Sequence, residues 1–92
     1  MTEAWDVQFA PSALRGLDRL PPRIAPAIIE FVTRTLPRNP EQLSKPLRGE
    51  FEGLHSARRG DYRVLFSLDR DTRVLLVVRV AHRADVYRAG ER

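Results

Sequence analysis

Three arginines, Arg58, Arg59 and Arg63, fall within six positions in the stretch HSARRGDYR (55–63). A second stretch, HRADVY (82–87), adds Arg83 and Tyr87. Guanidinium groups stay charged and present a planar fork that matches phosphate oxygens. Gathered in one place, they would stabilise a phosphorane-like transition state, whose equatorial oxygens carry more charge than the ground state. A phenol beside them can stack on a base. Such a set suits cleavage of an RNA phosphodiester, with the 2′-OH as nucleophile and no metal required. The same residues also admit a plainer arrangement: Arg58 and Arg59 line a solvated strand edge, Tyr62 enters the core and Tyr87 caps it.

Other chemistries find little footing. The chain has no cysteine, which excludes disulfides and thiolate metal sites. His55 and His82 are the only histidines, and no paired His/Asp/Glu spacing resembles a metal site. Neither a phosphate-binding glycine loop nor a dinucleotide fingerprint is present. Ser12, Ser44, Ser56 and Ser67 suggest no triad and read as surface or turn residues. No cofactor is expected.

The charge is uneven. The first 44 residues are neutral, whereas the remainder carries eleven cations against seven acids, giving the whole net charge of +4. A basic half points to a polyanion: nucleic acid, an acidic protein or a membrane surface. Charge of this size also merely keeps a small protein soluble. Arginine outnumbers lysine fifteen to one, a ratio that GC-rich coding produces without functional meaning.

The elements that must position these residues follow from periodicity. Ninety-two residues suit one domain, 1–92, with a thin core. Residues 4–9 alternate, with Trp5, Val7 and Phe9 on one face of a strand. Pro11 fits the first turn of a helix carrying Leu14, Leu17 and Leu20, ended by Pro21-Pro22. A second helix begins at Pro22 or Arg23, with an apolar stripe from Ile24 through Leu36. Residues 37–46, rich in proline, read as an irregular loop. One strand is expected within 47–59, a second over 62–68 and a third over 72–80. The last of these is almost wholly apolar and so is expected at the centre of the sheet. Ala81 to Tyr87 reads as a tail able to add an edge strand. The class is α+β: an N-terminal strand, a helical hairpin, then a small antiparallel sheet of three to four strands. The hairpin covers one face only. No apolar run reaches the ~20 residues of a membrane span, and MTEAWDVQF is unlike a secretory signal. The expected location is the cytoplasm, with no membrane partner.

The run KPLRGEFEGLHSARRGDYRVLF, followed by VVRVAHRADVY, resembles the RelE/ParE superfamily of bacterial toxins. The shared pattern is K-x-L-x-G, then R-x-G-D-Y-R-V-x-[YF], a valine-rich strand, and H-R-x-x-[VI]-Y. The resemblance spans about residues 4–88, and its specific part is 45–87. HSARRGDYR is most similar to the RelE branch of mycobacteria and related actinobacteria.

The resemblance implies the α+β toxin fold and a toxin of a type II toxin–antitoxin system. It implies entry into the ribosomal A site, metal-independent cleavage of mRNA there by 2′-OH attack to leave a 2′,3′-cyclic phosphate, and neutralisation by a cognate antitoxin. The toxin alone would be a monomer, and a hetero-oligomer with its antitoxin. Carried over position by position, Arg63 matches the arginine at the scissile phosphate and Arg83 the arginine near the leaving group. Tyr87 matches a tyrosine that stacks on or orients the nucleotide, and Arg58 a basic residue on the preceding strand. Lys45, Arg48, Arg59, His55 and His82 are the further candidates for RNA contact. Ser56 departs from the pattern, because some relatives carry a lysine there as base for the 2′-OH. Base duty would pass to Arg58, His55 or His82, of which histidine is chemically the better suited. Two other activities share the fold: a non-catalytic gyrase inhibitor of the ParE kind, and a degenerate toxin that only binds its antitoxin.

Overall fold

Alternation in the first strand is realised in β1 (Asp6–Phe9), in a computed structural model that describes residues 3–87. Trp5 is buried just ahead of it, and Val7 and Phe9 pack on the core. Pro11 then opens α1 (Pro11–Asp18), where its missing N–H costs nothing. Ala13, Leu17 and Leu20 face inward, but Leu14 is 49% exposed. The expected Leu14–Leu17–Leu20 stripe slips because a strict three-residue spacing drifts around a 3.6-residue helix, and Ala13 holds the buried position instead.

After Pro21-Pro22 comes α2 (Ile24–Glu30). The helical run continues differently from the expected single α-helix to Leu36. A π turn spans Phe31–Thr35 and a 3₁₀ turn spans Leu36–Arg38. Ile28, Val32 and Leu36 are all buried, and the Pro37 carbonyl accepts the Trp5 N–H at 2.9 Å. The wider turn keeps residues four apart on one line, which a regular helix would let drift.

Five strands form one mixed sheet, ordered β1-β5-β4-β3-β2. Besides β1 they are β2 (Ser44–Pro46), β3 (His55–Arg59), β4 (Tyr62–Asp69) and β5 (Val74–His82). β1 runs parallel to β5 and all other pairs are antiparallel. Three local expectations are corrected. The 37–46 loop ends in the short edge strand β2, where Pro46 is tolerated because one side of an edge needs no donor. The strand expected over 47–59 is shortened by a 3₁₀ turn, Gly49–Phe51, flanked by Gly49 and Gly53 at φ +68° and +97°. The tail 81–87 adds no edge strand: β5 runs on to His82, and the Asp85 and Val86 amides turn back onto the His82 carbonyl.

The core lies between the helices and one sheet face, built on Val64, Phe66, Leu75, Val77 and Val80 with Ile28, Val32 and Leu36. Strict alternation from Leu75 and Val77 would drive Arg79 into it. A β-bulge prevents this. Leu65 pairs with Arg79 and Phe66 with Val77, so Val78 stands unopposed. The extra residue reverses the parity of β5: Val80 enters the core and Arg79 turns to the other face. The Val78 carbonyl accepts the Ser12 hydroxyl at 2.5 Å, tying the bulge to the start of α1.

α1 crosses β5 closely at Gly16, where an added Cβ would meet the Val80 carbonyl oxygen. That oxygen belongs to the ladder and cannot withdraw cheaply. Gly16→Ala is therefore expected to destabilise the fold by about 1–3 kcal/mol despite the gain in helix propensity. Urea denaturation of the two proteins measures it.

Candidate functional site

Side-chain parity decides which residues meet on the sheet face away from the helices. Ala57 and Val64 are paired and buried in the core, so their neighbours Ser56, Arg58, Arg63 and Leu65 project the other way. Two cross-strand rows result. One runs Lys45–Ser56–Leu65–Arg79, and the other Arg58–Arg63–Ala81. The turn after β5 lies over this face. Arg79 donates to the Val86 carbonyl at 2.8 Å, and Val86 and Leu65 are both fully buried outside the main core. This seal brings in Tyr87, whose hydroxyl donates to Ser56 Oγ at 2.9 Å and whose ring meets Phe51 edge-on at 5.7 Å.

The outcome is an open cleft of about 630 Å³, walled by Lys45, Ser56, Arg58, Arg63 and Tyr87 together with the segment 42–47. Among the described residues, three cations line it and no carboxylate does. Like charges sit directly opposite each other at Arg58 and Arg63, an arrangement that costs stability unless an anion enters. The cleft can therefore hold a phosphate between guanidinium groups, with a phenol at its rim.

Other candidates lie elsewhere. Arg83 follows β5 and extends the ladder by one bond, its N–H reaching the Asp61 carbonyl at 2.8 Å. Its guanidinium lies 3.9 Å from the Asp61 carboxylate, with both side chains largely exposed. Such a contact binds it weakly. Arg59 pairs with Tyr62, whose ring packs against the core, so Arg59 projects to the helical side. Arg48 is exposed just beyond the cleft wall at Leu47. Both histidines face away from the cleft. His82 meets the Tyr62 ring edge-on at 5.3 Å and His55 stacks on Phe66 at 5.4 Å. Neither is placed to take a proton from a substrate bound beside Arg63.

His55 has a structural environment instead. Burial, then the nearby Arg70 charge, push its imidazole below the usual range, against a smaller opposite pull from Glu41. Glu41 itself is held below the usual carboxylate range by its hydrogen bond and ion pair with Arg70. His55 Nδ1 is buried without a hydrogen-bond partner, consistent with a neutral ring.

The Ser56–Tyr87 hydrogen bond and the Leu65/Val86 seal are the parts that sequence reasoning missed. Both depend on the bulge at Val78, and an unbroken run of apolar residues around it carries no signal of its position. Among the described residues, no three His, Cys, Asp or Glu side chains gather as a metal site would require, and no helix is long and apolar enough to cross a membrane.

Comparison with known proteins places these features in a family. The family described as "ParE toxin of type II toxin-antitoxin system, parDE" matches residues 7–87. Toxin RelG of Mycobacterium tuberculosis is 46% identical over 84 residues, covering 91% of this chain and 97% of its own. Toxin RelE of the same organism is also 46% identical over 84 residues, covering 91% and 87%. Among solved structures, the RelBE2 toxin–antitoxin complex of M. tuberculosis contains a chain that matches with a TM-score of 0.84 at 42% identity, covering 87% of this chain and 99% of that one. A chain of the Escherichia coli RelBE complex, 18% identical, shares the fold with a TM-score of 0.69 over 86% of this chain and 96% of its own.

The placement of His55 has a measurable consequence for stability. Above about pH 6.5 the ring is neutral both folded and unfolded, and it contributes no pH dependence. Below that value the unfolded chain takes up a proton that the folded chain declines, so stability falls as the pH drops toward the lowered folded value. His55→Phe keeps a ring on Phe66 and removes the titration. Thermal melts from about pH 7 to about pH 5 are expected to show wild type losing stability relative to this variant.

Proposed function

The chain belongs to the RelE/ParE superfamily of type II toxins, and from that premise we propose that it is a ribosome-dependent mRNA endonuclease, neutralised by a cognate antitoxin. The observation that supports this most directly is the meeting of Arg58, Arg63, Lys45 and Tyr87 in one cleft that no carboxylate among the described residues lines. A protein that acted only by docking would have no need to hold like charges opposite one another beside a phenol.

RNA carries its own nucleophile, so the protein's task is to position and stabilise. With the scissile phosphate between Arg58 and Arg63, the 2′-oxygen attacks phosphorus in line and the 5′-oxygen departs. The products are a 2′,3′-cyclic phosphate and a 5′-hydroxyl. The negative charge that grows on the phosphoryl oxygens is met by guanidinium groups already in place, which is where electrostatic catalysis gains most. Arg83, weakly engaged at Asp61 on the end of the sheet, can turn toward the departing oxygen. Tyr87, braced by Phe51 and Ser56, offers a face for a base and fixes the nucleotide's orientation. The ribosome would supply the remaining grip on the message, since a cleft this open encloses little of its substrate.

The antitoxin reading has physical support too. The basic sheet face lies on one side of the molecule, and Leu14 and Ile29, 49% and 43% exposed, lie on the helices. An acidic amphipathic segment complements both kinds of surface.

The test is induction of the toxin without antitoxin, with mapping of mRNA ends. Translation should stop first, with cuts in ribosome-bound messages. Arg63→Ala should lower cleavage on programmed ribosomes by about 10²-fold or more, while Arg34→Ala, exposed on the helical run, should leave it within about twofold of wild type. Intact mRNA with DNA-damage signalling would instead mark a gyrase inhibitor. No effect on growth would mark a degenerate toxin.

A further inference from the structure

We propose, resting on the ribonuclease reading above, that Lys45 is the group that takes the proton from the attacking 2′-OH. The cleft itself supplies the argument. Of the side chains that wall it, Arg58 and Arg63 cannot give up a proton in water and so cannot accept one. Ser56 is an alcohol, no more basic than the hydroxyl it would serve. Tyr87 spends its hydroxyl proton on Ser56 Oγ at 2.9 Å and thus enters the reaction as a braced phenol. His55 and His82 stand on the helical side, against Phe66 and Tyr62. Lys45 is the remaining basic nitrogen of the lining, and an amine, unlike a guanidinium, is chemically suited to accept a proton.

Its placement fits the task. Lys45 is the central residue of the edge strand β2 and pairs directly with Ser56. The next residue along that row is Leu65, and Arg63 stands beside it. Lys45 therefore approaches the phosphate site from the side opposite β5, across from the end of the sheet where Arg83 sits. It is also exposed, so a substitution there disturbs no packing.

Lys45 is also the only lysine among sixteen lysines and arginines, so the other two cations named in the cleft are arginines.

The step balances without a co-reactant. The 2′-O–H bond breaks and its proton passes to the neutral Lys45 amine as the 2′-oxygen bonds to phosphorus. The bond from phosphorus to the 5′-oxygen breaks, and that oxygen takes a proton from solvent. The resulting ammonium returns its proton to solvent before the next turnover.

The experiment uses the full-length toxin in single-turnover cleavage of mRNA on programmed ribosomes, across pH, with a melting curve for each variant. Lys45→Arg keeps the charge and removes the exchangeable proton. It should fold normally and cleave about 10²-fold or more slowly, and it should lack the rise of rate with pH expected of wild type. A Lys45→Arg protein that keeps the wild-type rate or the wild-type pH dependence overturns the assignment. If those results appear while Arg63→Ala is inactive, the nuclease reading stands without Lys45 as its base. If wild type leaves ribosome-bound mRNA intact, that reading and this one fall together.

Discussion

One unopposed residue, Val78, sets the sidedness of the molecule. Because Leu65 faces Arg79 while Phe66 faces Val77, the last third of β5 has its alternation reversed. Val80 fills the core, and Arg79 is delivered to the far face, where it holds the Val86 carbonyl and with it the turn that carries Tyr87. Remove the bulge and a guanidinium would be forced among Val64, Ile28 and Val32, a burial that no hydrogen bond there could offset. The Ser12 hydroxyl on the Val78 carbonyl shows that the irregularity is held from the helical side as well.

The cleft is then assembled at a cost to the fold. Arg58 and Arg63 oppose each other across β3 and β4, and Lys45 adds a third positive charge on β2. A like-charged pair directly across a ladder is worth roughly 0.2–1 kcal/mol against folding. The hairpin tolerates it because Ala57 and Val64 are sealed beneath, and because Gly60, at φ +62°, closes a tight two-residue turn that fixes the register. Stability is drawn from one face of the sheet and charge is concentrated on the other.

Periodicity in the sequence is enough to place β1, α1, β4 and β5, because alternating and helical patterns are strong over those stretches. The convergence of Arg58, Arg63 and Tyr87 is legible too, through the motif spacing from Lys45 to Tyr87. What fails is anything that depends on a single inserted residue. The bulge at Val78 hides in a run of valines and leucines, and the π turn at Phe31–Thr35 hides in a stripe that also fits an ordinary helix. The histidines illustrate the cost of missing parity. Chemistry alone favours them as bases, yet His55 sits two positions from Ala57 and His82 two from Val80, so both turn to the covered side. The tail 81–87 reads as able to add an edge strand, but its first two residues continue β5 and the rest is curled by bonds to the His82 carbonyl and ring.

That division of the histidines separates two kinds of acid response. The His55 imidazole, held below its usual range by burial and the Arg70 charge, sits against Phe66 on the covered side, whereas the cleft on the other face contains no imidazole. Selection acting on how the toxin endures an acidified cell can therefore adjust one side of the sheet without altering the basic cleft on the other. Tolerance of the environment and the character of the charged face become independently evolvable traits within a single thin domain.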